Sequence, residues 1–88
     1  MQLLERFLQY VKIDTQSVAD VTQYPSSEKQ KNLLSLLCRQ LNEMGVHAET
    51  DDYGYVYATI PANVKSQYVL GFIAHVDTSP AVSGADVK

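Results

Sequence analysis

Three observations predict an α/β fold, the opening of a mixed sheet with helices packed on it. Two stretches carry apolar residues at helical spacing, and two short segments flank a turn signal. The third observation is an apolar run, Tyr68–Ala74, that stops abruptly at His75-Val76-Asp77. Helix, helix, strand, strand, strand is an order that suits a sheet whose last strand is central and buried on both faces. With 88 residues, 45% of them hydrophobic, the chain can form one small domain with a modest core.

The first element is an amphipathic helix over Gln2–Ile13, because Leu3, Leu4, Phe7, Leu8 and Val11 recur at helical spacing. Asp14-Thr15-Gln16-Ser17 ends it, and Thr15 to Pro25 has no period. Ser27 with Gln30 three residues on is a capping-box pattern, so a second helix is expected from about Glu28. Its apolar face would be Leu33, Leu34, Leu37, Cys38, Leu41 and Met44, with Gly45 placed to end it. Val46–Thr50 and Tyr55–Ile60 then make a hairpin about the turn Asp51-Asp52-Tyr53-Gly54. Pro61–Gln67 is a loop, and Tyr68–Ala74 reads as the buried central strand. A central strand needs neighbours on both sides, yet the other two strands are already paired with each other. Partners beyond these residues are therefore expected, as is self-association through an unprotected edge, giving a homo-oligomer of the isolated chain.

Charge and cysteine content narrow the function classes. Net charge is −3 and the seven basic residues are scattered, which argues against a nucleic-acid surface or a polybasic membrane patch. Glu5 and Arg6 interrupt the apolar N-terminus, so it is neither a secretory signal nor a membrane span. The single cysteine, Cys38, permits no internal disulfide and suits a reducing cytoplasm. On the second helix it reads as a small apolar packing residue.

The best candidates for chemistry are His75 and Asp77. Side chains two apart on a strand point the same way, so both would stand at the strand's C-terminal end, where ligands collect in open α/β sheets. A neutral imidazole there can ligate a metal while the carboxylate orients it or raises its basicity. The spacing taken alone more often marks a structural hydrogen-bonded pair.

The segment from Leu70 to Thr78, a hydrophobic strand followed by a small residue and His-x-Asp-Thr, resembles the first signature of the zinc-dependent aminoacylase/carboxypeptidase/aminopeptidase family. Arg6–Ser17, Pro25–Leu37, Gly54–Asn63 and Gly71–Lys88 extend the resemblance and narrow it to tripeptide-cleaving aminopeptidases. The resemblance implies that His75 is a ligand of one of two zinc ions and that Asp77 is the catalytic-site carboxylate beside it. Two zinc ions bridged by a water lower its pKa to about 7 and polarise the scissile carbonyl. The resemblance also implies that residues 1–88 are the N-terminal part of a catalytic domain. The rest of that domain, an inserted lid or dimerisation domain, the other ligands and the general-base Glu would then lie outside them. One ligand makes no catalytic centre, which takes about three from protein. The whole protein is expected to be cytoplasmic, to take tripeptide substrates and to bind neither nucleic acid nor membrane, while the 88 residues alone are expected to be inactive and at most weak zinc binders.

Other candidates have plainer readings. His47 beside Glu49 is a surface pair, and Asp51-Asp52 is turn chemistry. Tyr53, Tyr55 and Tyr57 alternate as a strand face does. Thr15, Gln16 and Ser17 cap a helix end or close a loop near the site. Thr78 and Ser79 lack a nearby second histidine to act as nucleophiles. Within the same scaffold, a dipeptidase, carboxypeptidase or N-acyl amino acid deacylase is the alternative function. From a different class, the alternative is a stand-alone non-catalytic domain, either a natural truncation or a module that binds through its exposed sheet edge.

Overall fold

A computed structural model describes residues 1–88. The elements follow the order α1 (Leu3–Val11), α2 (Gln30–Glu43), β1 (His47–Thr50) and β2 (Val56–Thr59). The two strands form an antiparallel pair with His47 opposite Thr59 and Thr50 opposite Val56. Two helices with a hairpin make the opening portion of an α/β fold, as the sequence predicts.

The core lies where α2 meets the hairpin. Its buried apolar residues are Leu33, Leu34, Leu36 and Ala48, the first three from α2 and the last from β1. Leu37, Cys38 and Leu41 flank them half-buried, and Met44 is exposed. Leu36 belongs to the core although the helical spacing does not single it out. Asn42 ties helix to strand a second way. Its side-chain Nδ2 donates to the Ala48 carbonyl at 3.1 Å, and its Oδ1 accepts the Ala48 N–H at 3.2 Å. The amide thus stands in for a neighbouring strand at that position. The Cys38 thiol donates to the same carbonyl at 3.5 Å, a packing role consistent with its apolar surroundings.

Local sequence explains how α2 ends and how the hairpin turns. Gly45 adopts φ +86°, and the helix closes with Gly45 N–H donating to Asn42 O and Val46 N–H to Leu41 O. That pair of bonds defines a Schellman stop, which a glycine at this position makes without strain. At the turn, the Asp51 carboxylate accepts the N–H groups of Tyr53 and Tyr55 at 3.0 and 3.1 Å, and Gly54 takes φ +85°. Asp51 is turn chemistry, as its sequence context suggests.

The start of α2 departs from expectation. The helix begins at Gln30 rather than near Glu28, and Ser27 makes no bond to an N3 amide. Ser27 Oγ donates instead to the Gln16 carbonyl at 2.8 Å and accepts from Gln30 Nε2 at 3.0 Å. The capping pair meets, but its hydroxyl is committed to a distant loop.

Two further expectations are corrected. The apolar face of α1 is not buried: Leu3, Leu4, Phe7 and Leu8 are exposed. The helix is held to α2 by polar contacts, with Tyr10 Oη donating to Gln40 Oε1 and Gln40 Nε2 donating to Gln9 Oε1 at 2.8 Å. The second correction concerns Tyr68–Ala74, expected as the buried central strand. It joins no sheet, and Phe72 and Ile73 are 90% and 102% exposed. An apolar run becomes a buried strand only when other strands supply N–H and C=O partners and a layer covers each face. Here the hairpin strands pair with each other, and Asn42 occupies the outer side of β1 at Ala48. The radius of gyration, 15.0 Å, exceeds the ~12 Å of a closed domain of this length.

Three outcomes follow from this packing. Leu34→Ala, at a site only 5% exposed, should lower unfolding stability by about 2–4 kcal/mol in urea titrations, whereas Leu3→Ala should change it by less than ~0.5 kcal/mol. Asn42→Ala, which strips both bonds from Ala48, should cost about 1–2 kcal/mol. Light scattering should show concentration-dependent association through the exposed 68–73 segment; a monodisperse monomer at high concentration would contradict it.

Candidate functional site

Residues 72–77 run along one wall of a groove of about 930 Å³ between the helices and the hairpin. The opposite walls come from Leu34, Leu37 and Leu41 of α2 and from Tyr55 and Tyr57 of the hairpin. Arg6 of α1 also lines the groove, and its buried Nε has no hydrogen-bond partner. The groove is mostly apolar, and His75 and Asp77 in its wall are the pair able to do chemistry.

His75 and Asp77 are brought together as their spacing predicts. The His75 Nδ1 lies 2.9 Å from Asp77 Oδ1, with side chains 85% and 45% exposed respectively. Since the carboxylate only accepts, the neutral imidazole carries its proton on Nδ1 and leaves the Nε2 lone pair free. That is the arrangement of a metal-ligating histidine whose second nitrogen is held by a carboxylate. The donor chemistry fits one ligand position. No cluster of three or more His, Cys, Asp or Glu exists in these residues, so they do not form a complete metal centre.

The backbone immediately after Asp77 is fixed by a loop far away in sequence. Thr78 N–H donates to Thr15 O at 3.1 Å and Ser17 N–H donates to Thr78 O at 3.0 Å, a one-residue parallel pairing centred on Gln16 and Thr78. Ser17 Oγ adds a bond to Thr78 O at 2.8 Å, and Gln16 Nε2 donates to Pro80 O at 3.0 Å. The loop is itself anchored. Thr15 is only 3% exposed, and Asp14 accepts from the Gln16 N–H at 3.0 Å and from Lys29 Nζ at 2.9 Å. Gly84 packs so closely that a Cβ there would lie 2.6 Å from Asp14 Oδ1.

Sequence reasoning does not single out Asp14 and Lys29, and it marks Thr15, Gln16 and Ser17 only as a helix cap or a loop closure near the site. A signal is present: an Asp-Thr-Gln-Ser run just after a helix offers many short-range acceptors and donors. What it lacks is any indication of its distant partner. The remaining candidates keep their plainer readings. His47 Nε2 pairs with Glu49 Oε1 at 2.9 Å on the exposed hairpin, away from any third ligand. Tyr55 and Tyr57 lie 6.0 Å apart between ring centroids, tilted to each other and solvent-facing.

The Lys29 hydrogen bond, then the Gln16 N–H, hold the Asp14 carboxyl below its usual 3.8, against a smaller upward push from desolvation. With the folded value below the unfolded one, the unfolded chain binds more protons in between. The loop's contribution is therefore complete above pH 3.8 and lost as pH falls through the lower folded value. Amide shifts of Ser17 and Thr78 should follow this acid transition in an NMR titration, and in Asp14→Asn the transition should vanish.

No protein-family profile matches the chain. Among curated proteins, peptidase T of Citrobacter koseri is 56% identical over 89 aligned residues, covering 99% of this chain and 22% of the relative. Peptidase T from Escherichia coli and from Shigella boydii are each 53% identical with the same coverage. The chain resembles peptidase T over nearly its whole length, and spans about a fifth (22%) of the length of those relatives. No helix is long and apolar enough to cross a membrane.

Proposed function

We propose that these residues are the opening part of the catalytic domain of a cytoplasmic, zinc-dependent aminopeptidase that releases the N-terminal residue of tripeptides. Identity of 53–56% to proteins named peptidase T supports a peptidase as the whole protein. The observation that carries the finer reading is the His75–Asp77 pair, which leaves one imidazole nitrogen free in the wall of an open groove. In this reading His75 would hold a zinc ion through Nε2. Asp77 keeps the proton on Nδ1, orients the ring and strengthens Nε2 as a donor. Zinc, when bound, acidifies a water and polarises the peptide carbonyl. Further ligands and a general base must come from other parts of the protein, so the 88 residues alone have no activity and bind zinc at most weakly.

A protein of the relatives' length carrying this sequence should cleave tripeptides at the N-terminal bond, stop with a chelator and recover with zinc. The 88-residue chain assayed alongside should be silent. Asp77→Asn in the long protein should lower activity about 10–100-fold, the usual effect of removing a carboxylate behind a metal-bound histidine, and His75→Ala should lower it further. Chelator-insensitive cleavage, or full activity in His75→Ala, would overturn the reading. Preference for an acylated amino acid or a dipeptide over a tripeptide would move it to the amidohydrolase alternative.

A further inference from the structure

We infer that the loop Asp14–Ser17, locked by Lys29, is a positioning element that sets the His75–Asp77 pair through its grip on Thr78. The inference rests on the metal reading of that pair for its purpose, but on the geometry alone for its substance. Asp77 is bonded to Thr78 in the chain, and both the N–H and C=O of Thr78 are held by Thr15 and Ser17. The Thr78 N–H belongs to the Asp77–Thr78 peptide plane, so its bond to Thr15 O holds the plane from which the Asp77 side chain starts, and the bond from Ser17 N–H holds the plane that follows. The Asp77 carboxylate in turn holds the His75 ring.

Nothing else restrains that segment so firmly. Phe72 and Ile73, just before the pair, stand in solvent without a sheet partner. The grip therefore comes from the 14–17 loop, whose own rigidity derives from the start of α2. Lys29 Nζ bonds Asp14 at 2.9 Å, and Ser27 Oγ bonds the Gln16 carbonyl at 2.8 Å. Gln30 Nε2 completes the chain of contacts by bonding Ser27 Oγ at 3.0 Å. An ion pair as exposed as Lys29–Asp14 adds little to global stability. Its effect is to hold Asp14, and with it the loop, in one arrangement. A Cβ at Gly84 would meet Asp14 Oδ1 at 2.6 Å and Thr78 Oγ1 at 3.3 Å, so a side chain there would press on the loop and on Thr78 together.

The test is ¹⁵N NMR of the 88-residue chain at pH ~8.5, about two units above the reference imidazole pKa. It reads the His75 ring-nitrogen shifts, with His47 as internal control because its partner, Glu49, sits remote from the loop and on the other ring nitrogen. In the native chain His75 should report the Nδ1–H tautomer. Asp14→Asn, Lys29→Met and Gly84→Ala should each shift its ring nitrogens toward those of a free imidazole and speed exchange of the Thr78 amide several-fold. Lys29→Arg should restore both, and the His47 shifts should stay unchanged throughout. A merely structural loop would accelerate Thr78 exchange and leave the His75 ring unmoved, and that result overturns the inference, as does no change in either. If Asp14→Asn loses the helical circular dichroism of α2, Ser17→Ala, which deletes only the 2.8 Å bond to Thr78 O, carries the same test. Failure of the metal reading would show separately, as full activity of the long protein in His75→Ala, and would leave the ring shifts to decide the positioning role.

Discussion

The packing of α2 against β1 is the contact on which the other parts of the chain depend. Its buried apolar residues, Leu33, Leu34, Leu36 and Ala48, are the hydrophobic core of these residues. Each buried leucine is worth roughly 1.5–3 kcal/mol over leaving it in water, against about 1 kcal/mol for a typical hydrogen bond. Burial at α2 thus outweighs the polar contacts, and everything else is located by what α2 holds. Gln40 on one side carries α1, Asn42 at the C-terminal end braces β1, and the Ser27–Gln30 turn at the N-terminal end carries the 14–17 loop. A single helix acts as the hub.

The side chains around the candidate site follow from that hub by polar contacts rather than by burial. His75 stands in solvent, so no hydrophobic pressure places it. Its placement comes from Asp77, then from the clamp on Thr78, then from Asp14 and Lys29. Bonds of this kind contribute modestly to stability but strongly to direction, because hydrogen bonds are angular and dispersion contacts are not. For the proposed role of His75 direction matters more than burial, since a ligating nitrogen must meet an ion within a few tenths of an ångström.

The apolar groove and the exposed 68–73 segment describe one constraint from two sides. Tyr68, Val69, Leu70, Phe72 and Ile73 form a run that water solvates poorly, and the groove walls from α2 and the hairpin offer it no ladder of backbone partners. A strand of this composition is stable only with neighbours on both edges. The relatives that share these residues are more than four times as long, since the chain spans 22% of them.

Features that depend on residues within a few positions are legible along the chain itself. The α2 stop at Gly45, the Asp51 turn, the two helices and the two hairpin strands all belong to this class, because capping, turn and periodicity signals act over short spans of sequence. The His75–Asp77 contact is legible for the same reason: residues two apart in an extended chain share a side. Other features are settled only when the chain folds. Ser27 has the spacing of a helix cap, but its hydroxyl goes to the Gln16 carbonyl. Tyr68–Ala74 has the composition of a buried strand, but burial needs partner strands that no local pattern supplies. The grip of Ser17 on Thr78 joins residues 61 positions apart. Neither residue carries a mark of the other, because a hydrogen bond between distant segments depends on where the intervening chain folds and not on the identity of its ends.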